Sequence, residues 1–186
     1  MGQRFIKEGQ SMDVWGPLAL VGLGNILLGD EGFGVHFIRH LKQEFCFPEG
    51  VDLIDGGCAG LGLLNLIRNY KTVILFDVLL KKAPPGTIYV LEMDALENLP
   101  SSSLASAHQI GVKDALALAR FSSVGPEKLW AYAVVPKDLS PGVGLSAELR
   151  EAFFPLQERL FTDLKTLGIY PEKGGSYVSR GTHEID

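Results

Sequence analysis

Residues 22–36 read GLGNILLGDEGFGVH, from Gly22 to His36, and their reading decides the fold. Pro17 to Val21 is an apolar run that feeds straight into them, and an amphipathic stretch follows from Val35 to about Phe45. The order is strand, glycine-rich turn, helix. A dinucleotide-binding loop has the same order, but it needs G-x-G-x-x-G, whose third glycine lets the helix pack close to the strand. Leu27 occupies that third position. Asp30 and Glu31 also stand where a pyrophosphate would dock on helix N–H groups, and like charges repel. An acidic turn at the end of a strand suits a cation.

Outward from this turn, the apolar pattern alternates between short runs and amphipathic stretches. Strands are predicted at 17–22, 51–55 and 72–77, and helices at about 33–45, 60–69 and 108–120. Thr87 to Leu91 follows Pro84-Pro85-Gly86 too closely for a helical crossover, so it is predicted to be antiparallel. Another strand covers Lys128 to Val135. A last amphipathic helix spans about Ser146 to Leu167, with Pro155 breaking or bending it. The β-α-β-α-β start predicts an α/β fold, a three-layer α/β/α sandwich around a five-stranded, mostly parallel sheet with one antiparallel strand. Residues 17–168 form one domain in this reading. Residues 1–16 and 169–186 are expected to be loose N- and C-terminal tails.

Composition narrows the function classes. Apolar residues make up 46% of the 186, enough for a full core. The 17 basic and 22 acidic side chains give a net charge of −5, and Lys81-Lys82 is the largest basic cluster. Nucleic acid and anionic membrane are therefore not expected as partners. No apolar run is long enough for a membrane span, and Met1 to Trp15 lacks the apolar stretch of a secretory signal. The two cysteines, Cys46 and Cys58, form no CxxC pair and fit free thiols in a reducing cytoplasm.

In parallel sheets, ligands bind beyond the carboxyl ends of the strands. The first strand delivers Asp30 and Glu31 there, the second Asp55 in DGGCAG, and the third Asp77 in TVILFD. Each has two readings. Asp30 is a helix N-cap or part of a cation site. Asp55 serves its turn or the chemistry. Asp77 ends a buried strand and needs a partner, structural or ionic. His108 supplies the missing ligand type. It follows Ser106 in Ser-Ala-His-Gln, a capping box that places it in the first turn of a helix. The positive end of the helix dipole there disfavours imidazolium, and a neutral imidazole is what a metal requires. His36 and His40 are four apart on the first helix, but no Glu follows His36 as in HExxH, so they are read as a solvated face.

GLGNILLGDEGFGV, DGGCAG, Leu75-Phe76-Asp77 and Ser106-Ala107-His108-Gln109 together resemble, in order and spacing, the motifs of the [NiFe]-hydrogenase maturation endopeptidases. The likeness covers about residues 17–167. It implies an enzyme that removes the C-terminal extension of a hydrogenase large-subunit precursor once nickel is in place. The metal-contacting residues of that family map onto Glu31, Asp77 and His108. The first motif looks like the branch that serves uptake-type hydrogenases. Cys58 departs from the family, standing where threonine is usual. That argues against a catalytic hydroxyl there, and no histidine lies beside Cys58 in sequence to make it a nucleophile.

The resemblance implies a metal that arrives on the substrate: nickel, with zinc and cadmium as other divalent ions the site would take. Nickel polarises the scissile carbonyl or a water in one version. In the other, Glu31 or Asp77 is the general base. The Asp55 turn is a further catalytic candidate through its main-chain N–H groups. Two alternatives stand beside this reading: a zinc hydrolase that owns its metal, and a non-catalytic maturation chaperone.

Overall fold

A computed structural model describes residues 16–100, 107–122 and 125–174 of the chain. Every residue of β1 (Leu18–Leu23) is buried, as a strand covered on both faces must be. A 3-10 turn, Gly29–Gly32, leads into α1 (Phe33–Glu44). There follow β2 (Phe45–Cys46), β3 (Val51–Gly57), a second 3-10 turn (Gly60–Gly62), α2 (Leu63–Ile67), β4 (Thr72–Val78), β5 (Ile88–Glu92) and α3 (Met93–Glu97). The remaining elements are α4 (Ala107–Ser122), β6 (Lys128–Val134), α5 (Ala147–Glu151), α6 (Phe153–Thr166) and β7 (Glu172–Lys173).

The main sheet has five strands in the order β3-β1-β4-β6-β5. All pairs are parallel except β5 with β6, which is antiparallel as the short Pro84–Gly86 connection predicts. Alternation along the strands splits the core into two layers. Leu18, Leu20, Ile74, Phe76, Tyr132 and Val134 pack against Phe37, Ile38 and Leu41 of α1 and Leu156, Leu160 and Leu164 of α6. Ala19, Val21, Val73, Leu75 and Ala131 pack against Leu63 and Ile67 of α2 and Val112 and Leu116 of α4 on the other face. The three-layer α/β/α sandwich is therefore present. Among the described residues, no helix is long and apolar enough to cross a membrane.

Two local expectations are corrected. The last helix is two helices, and the break falls at Ala152, ahead of Pro155. Proline lacks the N–H that would bond back to residue 151, so the chain restarts its helix just before it. Residues 169–174 are not a loose tail. Gly168 (φ +78°) ends α6 in a Schellman motif, with Ile169 N–H donating to Leu164 O at 3.0 Å and Gly168 N–H to Lys165 O at 3.0 Å. Ile169 is buried in the α1/α6 core layer, and β7 pairs antiparallel with β2. The rest of the expected tails, 1–15 and 175–186, lies outside the described residues.

Candidate active site at the carboxyl ends of the strands

Glycine contacts set where Glu31 stands. A β-carbon on Gly34 would fall 2.0 Å from the Phe76 carbonyl oxygen, and one on Gly22 would fall 2.1 Å from that of Gly34. The start of α1 therefore lies directly on the ends of β1 and β4. The close helix–strand approach that a dinucleotide loop gains from its third glycine is made here by Gly22 and Gly34. Gly24, at φ +125°, packs just as tightly on the Glu31 carbonyl, leaving no room for a side chain. Glu31 is thus held three residues from Gly34, over the end of β4, where Asp77 follows Phe76.

Glu31 is 2% exposed and Asp77 9%. Asp77 Oδ1 accepts the Val78 N–H at 2.7 Å. With Val73 and Leu75, Asp77 belongs to the strand positions facing the α2/α4 layer, and it lines a small cavity with Val112 and Leu116 of α4. His108 lies one turn before Val112, in the first turn of α4 as the sequence predicts. Its side chain and the expected Ser106 cap lie outside the described residues. Among the described residues, no three His, Cys, Asp or Glu side chains form a group that could hold a metal ion.

A third side chain reports on the two acids. Cys58, exposed at the end of β3, has its thiol pushed above the ordinary range first by partial burial, then by the carboxylates of Glu31 and Asp77. Both side chains therefore lie near Cys58. The shift keeps the sulfur protonated at neutral pH, which disfavours a thiolate nucleophile.

Asp30 is not the N-cap of α1, which starts after Gly32 with no side-chain cap. It is 1% exposed. Its Oδ2 accepts the N–H groups of Lys137 (2.8 Å) and Asp138 (3.0 Å), and its Oδ1 that of Ser146 (2.7 Å). A carboxylate with two oxygens is the one small side chain that can accept from three amides at once. Asp30 thereby fastens the Glu31 turn to the loop after β6. Its partners lie more than 100 residues away in sequence, so no local pattern announces this role.

Asp55 is tied to α1. Arg39 donates to its Oδ2 from Nε (3.1 Å) and from Nη2 (2.8 Å). Arg39, Asp55, Cys58, Asn25, Gly24 and Gly57 line a cavity of about 180 Å³ beside the acids. His36 and His40 do not form a solvated face. Both are half-buried, and His40 meets Gln157 at 3.1 Å and the rings of Phe37, Phe45 and Phe153. The His36 pKa is lowered by burial and then by Arg39, with Asp55 opposing.

Three comparisons with known proteins bear on this arrangement. A family model described as hydrogenase maturation protease matches residues 35–162. The chain is 34% identical over 153 residues to the hydrogenase 2 maturation protease of Escherichia coli (strain K12), covering 82% of this chain and 93% of that one. It is 36% identical over 122 residues to the hydrogenase expression/formation protein HoxM of Azotobacter vinelandii, covering 66% of this chain and 59% of that relative. The structure superposes on the hydrogenase maturating endopeptidase HybD from E. coli with a TM-score of 0.76 at 33% identity, over 84% of this chain and 96% of that one. This chain belongs to the hydrogenase maturation protease family.

Proposed function

We propose that this chain is an endopeptidase that removes the C-terminal extension of a [NiFe]-hydrogenase large-subunit precursor after nickel insertion, with the substrate's own nickel as the recognition element. The observation that carries this reading is the pair of buried carboxylates, Glu31 in the turn that follows β1 and Asp77 near the end of the adjacent β4, both close to Cys58. Two nearly buried carboxylates close to one another suit a divalent cation, whose charge they would balance. Glu31, Asp77 and His108 would hold the nickel. Two carboxylates and one imidazole leave positions for the substrate's ligands. Nickel and divalent substitutes such as zinc or cadmium are substrate or stand-in here, not a resident cofactor.

When bound, the ion lowers the barrier by polarising a carbonyl or a water. Glu31 or Asp77 accepts a proton from the attacking water and passes it to the leaving amine as the C–N bond breaks. Asp55 has one oxygen taken by Arg39. Its part is to fix the glycine-rich turn, whose amides face the developing oxyanion. The acidic balance and the free thiols support action in the cytoplasm on a protein, not on nucleic acid or at a membrane.

The decisive experiment incubates the purified chain with nickel-loaded and nickel-free precursor and reads the products by intact mass. The expected result is removal of the C-terminal extension from the loaded form only. Cleavage of both forms by protein carrying stoichiometric zinc would make it a zinc hydrolase. Stable binding with no cleavage of either would make it a chaperone.

A further inference from the structure

The two loops joined by Asp30 display large aliphatic side chains to solvent. Leu27, in the turn that carries Glu31, is 62% exposed, and Val143, in the loop after β6, is 84% exposed. The two segments touch. Gly142 N–H donates to Leu27 O at 2.9 Å, and Gly29 N–H donates to Gly142 O at 3.0 Å, a short parallel bridge that sets Val143 beside the Leu27 turn. Leu61, in the 3-10 turn that follows Cys58, is 61% exposed on the same end of the sheet.

These side chains stay out by construction. Asn25 Oδ1 accepts the Leu27 N–H at 3.0 Å, and Asp138 Oδ1 accepts from the N–H and hydroxyl of Ser140. With the three amide bonds of Asp30, these hydrogen bonds hold the two loops that present Leu27 and Val143. Single exposed aliphatics are ordinary, but a bonded pair on loops that also carry the site's acid is a surface with a use.

We propose that Leu27 and Val143, with Leu61 at the same end of the sheet, form an apolar rim that docks the folded precursor around the base of its C-terminal extension. The inference rests on the endopeptidase reading above and names how that substrate is held. Two arguments select this occupant. The rim is continuous with the candidate site: Leu27 is four residues from Glu31, and Leu61 three from Cys58. Three side chains also fall far short of the ~800 Å² per partner that a stable interface buries. A second copy held by the rim alone would not persist. A substrate anchored also by its nickel and its extension needs only this much.

The test measures KM and kcat for the nickel-loaded precursor with the parental chain, the L27S/V143S double variant and L61S. The double variant should raise KM about tenfold or more, because two aliphatic contacts are lost to water, with kcat kept within about twofold. L61S should raise KM less. Thermal midpoints should match the parent, since none of the three side chains is in the core. V143S alone carries the test if the double variant folds poorly. Parental KM values in well-folded variants would overturn the rim. A parental dimer that the double variant dissolves, with KM unchanged, would assign the face to a second copy and also overturn it. If the parental chain itself leaves the loaded precursor uncut, the endopeptidase reading fails, and the rim fails with it for that separate reason.

Discussion

The two ends of the sheet differ in a way that cavity size does not predict. Where β6 begins and β5 ends lies a cavity of about 480 Å³, walled by Glu92, Asp94, Lys128, Trp130 and Asp163 among others. The carboxyl end offers smaller hollows, one of about 180 Å³ beside Asp55 and Cys58 and one of about 40 Å³ beside Asp77. Yet two acids of the larger cavity, Asp94 and Asp163, are spent on ordinary pairs. Asp94 meets Arg120 at 2.6 Å with three quarters of its side chain in solvent, and Asp163 accepts from Arg159 and from the buried Tyr132 hydroxyl. Burial and that carboxylate hold the Tyr132 hydroxyl well above the usual phenol range. At the carboxyl end, three carboxylates are nearly removed from water. Buried charge, not volume, sets the carboxyl end apart and makes it the candidate site.

The largest test of this contrast removes the charge and keeps the shape. Asp77→Asn retains an oxygen to accept the Val78 N–H, and Glu31→Gln is nearly isosteric. Each should lower cleavage of nickel-loaded precursor by about a hundredfold or more, the range of a lost general base or metal donor. The thermal midpoint should change little, because each substitution keeps the shape of the side chain it replaces. His108→Ala should behave like them in activity, and calorimetry should show little change. Full activity in all three folded variants would return these residues to turn and cap roles.

Asp30→Ala should reverse the pattern, since Asp30 holds main chain where Glu31 and Asp77 are proposed to hold a metal. Three main-chain amides lose their acceptor in one step, a loss of about 3 kcal/mol or more in urea unfolding. Asp30 and Glu31 are adjacent and equally buried, so the pair separates folding from function within two residues. An Asp30→Ala chain as stable as the parent would show that the clamp is not what holds the two loops together.

Much of this was legible in the sequence. Apolar runs announce the five strands of the main sheet, and the short Pro84–Gly86 connection announces the direction of β5. The site acids fall at strand ends because α/β topology puts them there. What escaped was non-local or very short. The two-residue strands β2 and β7 have no periodicity to read. Asp30 and Asp55 find partners 116 and 16 residues away, and nothing near either residue names them. The docking of Ile169 did have a signal, glycine then an apolar residue at the end of a helix, with Leu164 available for the Schellman contact. His40 was misread because a polar residue on a helix face says nothing of the aromatic rings that α6 brings over it.

Cys58 gives a finer probe of the carboxyl end. Burial first, then the nearby carboxylates of Glu31 and Asp77, raise its pKa, so the reactive thiolate is scarce at pH 8, and neutralising either acid should increase it. In a Cys46→Ser background, Glu31→Gln and Asp77→Asn should each speed alkylation of Cys58 at pH 8 by about two- to fivefold, in proportion to the thiolate gained. The advantage should vanish at a pH high enough to ionise the thiol fully in every variant. Rates indifferent to both substitutions would mean that the two carboxylates do not share the surroundings of Cys58. The proposed site would then lose its best internal witness.

The smallest effect is expected at the other end, and its smallness is the point. Glu92→Lys reverses a charge on the wall of the larger cavity, and Arg120→Ala breaks the contacts to Asp94 and Glu97. Arg120 is mostly exposed, where ion pairs are screened and add little to folding. Glu92 is likewise exposed on an edge strand, with no core contact to lose. Both variants should keep the parental thermal midpoint, and both should cleave nickel-loaded precursor with parental KM and kcat. A raised KM for Glu92→Lys alone would mean that the precursor reaches around the sheet to the larger cavity. Size would then have pointed to a real contact surface, and the contrast between the two ends would be one of tasks within a single substrate complex.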